Sequence, residues 1–179
     1  SRFNPSNPYA ATKASAELLV NSYVNTYDLD CVITRCTNNY GPRQFYEKLI
    51  PKTIFLANQN KKIPIYGKGE NIRDWIYVND HCEAVLRVLL DGKKGESYNV
   101  SSDNEIDNLS IVKKILELLG KSSDLIEFVT DRPGHDLRYS LNSSKIKNSL
   151  KWNPEISFDD GIQNTIDWLI NNSRGKDIS

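Results

Sequence analysis

The sequence predicts an α/β protein, and three observations carry the prediction. The stretch "NPYAATKASAELL" has a capping residue, a proline and an Ala-rich run in the order of a helix start. It leads to "LDCVITRC", β-branched and apolar without alternation, the pattern of a strand buried on both faces of a parallel sheet. Beyond it, short apolar runs set off by Gly, Asn and Pro exchange places with segments whose apolar residues recur at helical spacing.

The elements follow in order. Asn7 suits the N-cap, Pro8 the first helical position, and Leu18, Leu19 and Tyr23 carry the helix through Tyr23. A strand is expected from Leu29 to Cys36, in which Cys31 and Cys36 differ by an odd number and so point to opposite faces. With Cys82 standing alone, neither a disulfide framework nor a metal site is expected. "TNNYGPRQF" reads as a loop, and residues 47–58 as a helix through Leu49, Ile50, Ile54 and Leu56. Strands are expected at Ile63 to Tyr66 and at Ile72 to Val78, with a glycine turn between them. Asp80 opens a helix with Ala84, Val85, Val88 and Leu89, and "ESYNV" is a short strand. Asn108 caps a helix whose Leu109, Val112, Ile115, Leu116 and Leu119 form one stripe ended by Gly120. "IEFVTDRPGHDLRY" reads as strand then loop, residues 143–150 as a short helix, and Phe158, Ile162, Ile166 and Leu169 as the face of a last one. The tail from Ser173 is expected to fray.

Composition narrows the function. At 179 residues the chain can bury one substantial core or two small ones. Hydrophobic content of 39% with a formal charge of zero argues for a soluble globular protein and against bulk electrostatic binding of nucleic acid or membrane, so any anion site is local. No apolar run approaches the ~18 residues of a membrane span and no signal segment opens the chain, so a cytoplasmic protein is expected. The chain has no Met and begins directly with an organised helix, which leads us to expect the later part of a longer polypeptide.

Tyr9 and Lys13, four residues apart at the start of the first helix, face the same way. A free phenol, with its pKa near ~10, is too weakly acidic to serve as a base at neutral pH, but an ammonium fixed nearby favours the phenolate. The two residues are a candidate proton-abstracting pair. Four segments, "NNYGPRQFYEKLIP", "NIRDW", "NEIDNL" and "DRPGHDLRY", carry more specialised polar residues than packing requires. They offer Lys48, Arg73, Arg132 and Arg138, with His135 and the amides Asn38, Asn39 and Asn108. Singly each has an ordinary explanation: Lys48 solvated in a first helical turn, Arg73 paired with Asp74, Arg132 in a loop salt bridge. Together, cations from separate elements suit a diphosphate, which arginine can grip by two oxygens at once.

These motifs carry a resemblance. "NPYAATKASAE", "TRCTNNYGPRQFYEKLIP", "PIYGKGENIRDWIYVNDHCEAV", "GESYNV", "DRPGHDLRY" and "KWNPEISFDDGIQNTIDW" together resemble the dTDP-glucose 4,6-dehydratases of the extended short-chain dehydrogenase/reductase group, over nearly the whole chain. Y-x-x-x-K marks only the large group, whereas "NNYGP" with "EKLIP", "RDWIYV" and "DRPGHD" is far more specific. The resemblance implies NAD-dependent dehydration of a nucleotide-activated glucose to a 4-keto-6-deoxy sugar. Tyr9 would take the proton from the sugar 4-OH, with Lys13 on the cofactor ribose and Asn39 beside the cofactor. Asn38, Lys48, Leu49, Tyr66, Arg73, Asn108, Arg132 and His135 fall at its substrate-binding positions.

The same resemblance implies the trailing part of a Rossmann-type parallel sheet interleaved with a smaller α+β substrate-binding domain. The Rossmann remnant would take residues 1–39 and 72–95, and the sugar-nucleotide domain 40–71 and 96–179. It also implies a homodimer through the first helix. The Gly-rich phosphate turn, the Thr that partners Tyr9 and the Asp-Glu pair of the elimination belong, by the resemblance, upstream of residue 1. Smaller departures are Tyr46 for a usual Pro, Ser101-Ser102 for a usual Gly pair and Ser140 for a common Ala. The alternatives are a related sugar-nucleotide epimerase or decarboxylase, and a non-catalytic module that binds sugar nucleotides or dimerises.

Overall fold

The structure, a computed structural model, describes residues 4, 5, 7–131, 134 and 136–172. Helix α1 (Pro8–Tyr27) starts as the sequence dictates: the Asn7 Oδ1 accepts the Ala10 N–H at 2.8 Å. It runs one turn past Tyr23 and ends at Asp28 in the left-handed conformation, and none of its residues is buried. Strand β1 (Ile33–Cys36) pairs in parallel with β5 (Ser97–Val100), Ile33 opposite Ser97 and Cys36 opposite Val100. The strand is shorter than the apolar run, and its residues are half-buried rather than enclosed, because among the described residues β5 is its one partner strand. Cys31 falls ahead of it, so the opposite-face argument does not apply; Cys31, Cys36 and Cys82 are all free thiols.

Strand β4 (Ile72–Tyr77) is the spine of the molecule. It pairs in parallel with β2 (Asn38–Tyr40), antiparallel with β6 (Glu105–Asp107) and in parallel with β8 (Arg138–Tyr139). All three partners lie where the sequence reads as loop or carries no strand signal, since two or three polar residues are too short to display a period. A further parallel pair joins β3 (Ile63–Tyr66) to β7 (Ile126–Val129). Side chains alternate across β4. Trp75 and Tyr77 enter a core with Tyr40, Ile54, Ile111 and Ile162, drawn from α2 (Leu49–Asn58), α4 (Asn108–Leu118) and α6 (Phe158–Asn172). Ile76 enters the opposite core with Ala84 and Val88 of α3 (Val78–Asp91), Val100, and Ile146 of α5 (Ser144–Leu150). A third cluster, Ala57, Ile63, Ile65, Val112 and Leu116, seals β3 against α2 and α4.

Two caps differ from expectation. Asp107, not Asn108, caps α4, its Oδ1 accepting the Ser110 N–H at 2.8 Å, which leaves Asn108 as the first helical residue. Helix α3 begins at Val78, and Asp80 instead turns a buried carboxylate to the N–H groups of Glu155 (3.2 Å) and Ile156 (3.1 Å), tying α3 to the approach to α6. Val85 and Leu89 lie exposed on α3, so its buried stripe is narrower than the sequence suggests. Where α6 crosses β2, a Cβ at Gly161 would stand 2.2 Å from the Tyr40 hydroxyl, so the close approach depends on glycine. Among the described residues no helix is long and apolar enough to cross a membrane. Ser173 and the tail beyond it lie outside the described residues.

Candidate functional site

A cavity of about 590 Å³ opens where the ends of β2, β3 and β4 meet the first turns of α2 and α4. Asn38, Lys48, Leu49, Tyr66, Arg73 and Asn108 all line it, six of the eight residues singled out for substrate. The other two, Arg132 and His135, lie outside the described residues. Local structure explains the convergence. Lys48 is the residue at the N-cap of α2 and Leu49 its first helical residue, so both face the opening, with Lys52 one turn on. Asn108 is brought to Tyr66 by the turn between β3 and β4: the Asn108 N–H donates to the Asn71 carbonyl (3.2 Å) and the Leu109 N–H to that of Gly69 (3.1 Å). Gly69 has φ +74°, and a Cβ there would meet Ile65 Cγ2 at 2.8 Å and Leu109 Cβ at 2.9 Å, so only glycine permits this approach.

Arg73 is braced where it stands. Its guanidinium donates to the carbonyls of Ile72 and Asp136, each at 2.7 Å, rather than making the simple Asp74 pair that adjacency in sequence suggests. Asp74, almost fully buried on the other side of β4, gathers the Ser102 hydroxyl (2.9 Å), the Thr37 hydroxyl (3.4 Å), the N–H groups of Ser102 and Asp103, and a short bond from Ser101. Ser101 and Ser102 thus bring two hydroxyls to this carboxylate. Arg138 does not join the cavity. Its Nε and Nη2 both lie 2.6 Å from the Glu105 carboxylate, and that pairing raises the Arg138 pKa while holding the Glu105 carboxyl below its usual range.

Tyr9 and Lys13 form a separate constellation on the open first turns of α1. The Lys13 Nζ lies 5.6 Å from the centroid of the Tyr9 ring, within cation–π range, and Tyr9 is 70% exposed. Tyr139 of β8 comes close to this pair, its hydroxyl donating to the Cys36 carbonyl at 3.4 Å. Burial pushes the Tyr139 phenol pKa up, with the neighbouring Cys36 and Tyr9 adding to the effect. Asn39 stands at the same carboxyl end of β1. Its Nδ2 donates to Cys36 Sγ and the Thr37 carbonyl, both at 3.3 Å, while its Oδ1 is buried without a hydrogen-bond partner.

Sequence reasoning missed several residues of the cavity wall, Trp75 and Gln44 among them. Trp75, with its indole N–H buried and unmatched, could have been found from strand alternation, because it shares a face with Arg73. Gln44 sits in a turn with no period to betray it; its Nε2 donates to the Asn39 carbonyl at 2.8 Å and its Oε1 is buried without a partner. Among the described residues no cluster of three His, Cys, Asp or Glu could hold a metal ion.

Comparison with known proteins places the chain. Residues 1–165 match the family model described as GDP-mannose 4,6 dehydratase. The chain is 52% identical over 166 residues to the low-salt glycan biosynthesis protein Agl12 of Haloferax volcanii, covering 93% of the chain and 53% of that protein. It is 44% identical over 182 residues to dTDP-glucose 4,6-dehydratase 1 of Escherichia coli K12, covering 98% of the chain and 50% of that protein. Among solved structures it is similar to the dTDP-glucose 4,6-dehydratase of Streptomyces venezuelae with NAD bound (TM-score 0.94, 41% identity, 97% of this chain and 54% of that one). It is also similar to the Bacillus anthracis enzyme with NAD (TM-score 0.92, 46% identity, 96% and 55%). The chain therefore spans about half the length of the curated relatives it matches. Its α/β architecture with parallel strands is that of the Rossmann-type enzymes among these neighbours. With one family model matching residues 1–165 and relatives at 44–52% identity over nearly the whole chain, the chain belongs to the GDP-mannose 4,6 dehydratase family.

Proposed function

We propose that the protein of which this chain is part is an NAD-dependent dTDP-glucose 4,6-dehydratase, and that the chain supplies its proton-abstracting pair and most of its substrate pocket. The observation that carries the reading is the meeting of Asn38, Lys48, Leu49, Tyr66, Arg73 and Asn108 in one cavity. Lys48 and Arg73, with Lys52 beside them, supply charge-assisted donors for a diphosphate. Leu49 and Tyr66 offer apolar surface for the nucleoside, and Asn38 and Asn108 offer amides for the sugar and phosphate oxygens. Arg132 and His135 complete this set by family resemblance.

The residues fit a nicotinamide cofactor on an observation independent of resemblance. The buried, unmatched Oδ1 of Asn39 is an acceptor just past the carboxyl end of β1, where doubly wound folds hold dinucleotides. Asn39 would meet the cofactor and Lys13 its ribose hydroxyls. A bound NAD would supply the hydride acceptor for C4 and, once reduced, the hydride for C6, with a proton restored at C5. Tyr9 takes the 4-OH proton, the resulting 4-ketone acidifies C5–H, and water leaves across C5 and C6. Lys13 stands with its ammonium over the Tyr9 ring, where the proton transfer takes place.

By the same reading, residues 1–39 and 72–95 serve the dinucleotide and residues 40–71 and 96–179 the sugar nucleotide. Two copies associate through α1, which presents Leu18, Leu19, Tyr23 and Tyr27 to solvent. We place the enzyme in the cytoplasm, where activated sugars are made. The test is incubation of the intact protein with dTDP-glucose and NAD, followed by NMR of the product. A 4-keto-6-deoxy sugar nucleotide supports the reading, a C4 epimer replaces it with epimerisation, and binding without turnover replaces it with a binding module.

A further inference from the structure

Tyr9, Lys13 and Glu17 follow one another at four-residue intervals and so share one stripe of α1. Glu17 is thus within reach of Lys13, and a lysine with a glutamate one turn on forms an ion pair on an open helix surface. In this structure the glutamate is engaged elsewhere. Arg35, midway along β1, donates Nε to Glu17 Oε2 at 2.8 Å and Nη2 to Oε1 in a still shorter bond. The guanidinium therefore takes both carboxylate oxygens side-on, the geometry for which arginine is better suited than lysine. Its remaining nitrogen, Nη1, donates to Asn99 Oδ1 on β5 at 3.3 Å, and Asn99 Nδ2 in turn donates to the Asn142 carbonyl at 3.1 Å. The Glu17 side chain is only 12% exposed, and Lys13 is left with its ammonium 5.6 Å from the centre of the Tyr9 ring.

We propose that Arg35 is a positioning residue for the proposed chemistry: by occupying both oxygens of Glu17 it denies that carboxylate to Lys13 and so keeps the lysine ammonium on Tyr9. The proposal rests on the reading of Tyr9 and Lys13 as the reacting pair, and it adds a role for Glu17 and Arg35, neither of which lines the cavity. The physical content is a competition. Glu17 has two cationic suitors, one fixed by the sheet and one on its own helix. Asn99 strengthens the arginine's hold by accepting from its Nη1. Removing Arg35 leaves a carboxylate facing β1 with its nearest alternative partner one helical turn away. A lysine drawn toward Glu17 no longer lies against the phenol, so the pair loses the geometry the proposed reaction uses.

A double-substitution test separates this competition from simple anchoring of α1. In the intact protein, Arg35→Ala is expected to lower kcat with the sugar nucleotide by roughly 10- to 100-fold while KM changes by less than about threefold. Glu17→Gln alone, which removes the competing charge, is expected to keep kcat within about threefold of the parent. The pair Arg35→Ala with Glu17→Gln is expected to recover most of the lost kcat. A double variant as slow as Arg35→Ala overturns the proposal and makes the bridge an anchor only. A crystal structure of Arg35→Ala reads the same competition without turnover. Lys13 Nζ within about 4 Å of a Glu17 oxygen and withdrawn from the Tyr9 ring is the expected result, and Lys13 unmoved over Tyr9 overturns the proposal. A parent protein without dehydratase activity would remove the proposed function while leaving this structural arm intact.

Discussion

Arg73 holds its station in the cavity because the carbonyls of Ile72 and Asp136 fix its guanidinium, so little further ordering is needed when an anion arrives. Arg73→Ala is therefore expected to weaken dTDP binding by about 10- to 100-fold, the scale of one or two charge-assisted bonds. Arg138→Ala, whose charge is committed to Glu105 at the surface, should leave it within about twofold. Calorimetric titration of the intact variants with dTDP checks both. Tyr40 offers a second prediction. Burial pushes its phenol pKa far above the ordinary value, with Asp80 and Tyr77 adding repulsion, so the folded state holds this proton more tightly than the unfolded chain does. Its stabilising contribution is therefore complete below the unfolded pKa of ~10 and is lost as pH rises beyond it. Urea melts from pH 8 to 11 should fall steeply for the parent and less steeply for Tyr40→Phe, which gives up only the 3.4 Å bond to the Phe158 carbonyl.

Helix α6 reaches β2 only because position 161 has no side chain. Gly161→Ala would gain helix propensity, but its Cβ would meet Tyr40 at the hydroxyl oxygen and the ring, so a net loss of about 1–3 kcal/mol is expected in denaturant unfolding. Combining it with Tyr40→Phe should return part of that loss. At this scale the sequence was legible in proportion to how long an element displays its period. Helices α2, α4 and α6 declare themselves through Ile50 and Ile54, Val112 and Ile115, Ile162 and Ile166, all of which prove buried. Strand β3 appears at its expected residues. Strands β2, β6 and β8 were invisible because two or three polar residues become strand only when β4 offers a partner. The site divides the same way. Motif resemblance pointed to Asn38, Lys48, Arg73 and Asn108, which share a cavity, whereas Arg138 misled because its partner Glu105 lies on the unforeseen β6. Nothing local in "ITRC" announces that Arg35 will meet a glutamate eighteen residues earlier.

At the level of the whole molecule, α1 buries none of its residues and turns Leu18, Leu19, Tyr23 and Tyr27 outward, an apolar stripe of the kind that marks an association surface. Leu19→Glu is expected to shift the intact protein from dimer to monomer in sedimentation velocity while leaving its folded spectrum unchanged; a monomeric parent would refute association through α1. The strand pairings have another consequence. Each parallel pair joins segments far apart in the chain: Arg35 of β1 meets Asn99 of β5 across 64 residues, and β3 waits for β7 over a comparable interval. During synthesis at about 5–20 residues per second, β1 emerges from the ribosome roughly 3–13 seconds before its partner exists. Its pairing with β5 cannot form in that interval, and only afterwards can Arg35 find Asn99. The parallel layout thus sets an order in time as well as in space: the β1–β5 and β3–β7 pairs close only after the intervening sixty-odd residues have been made.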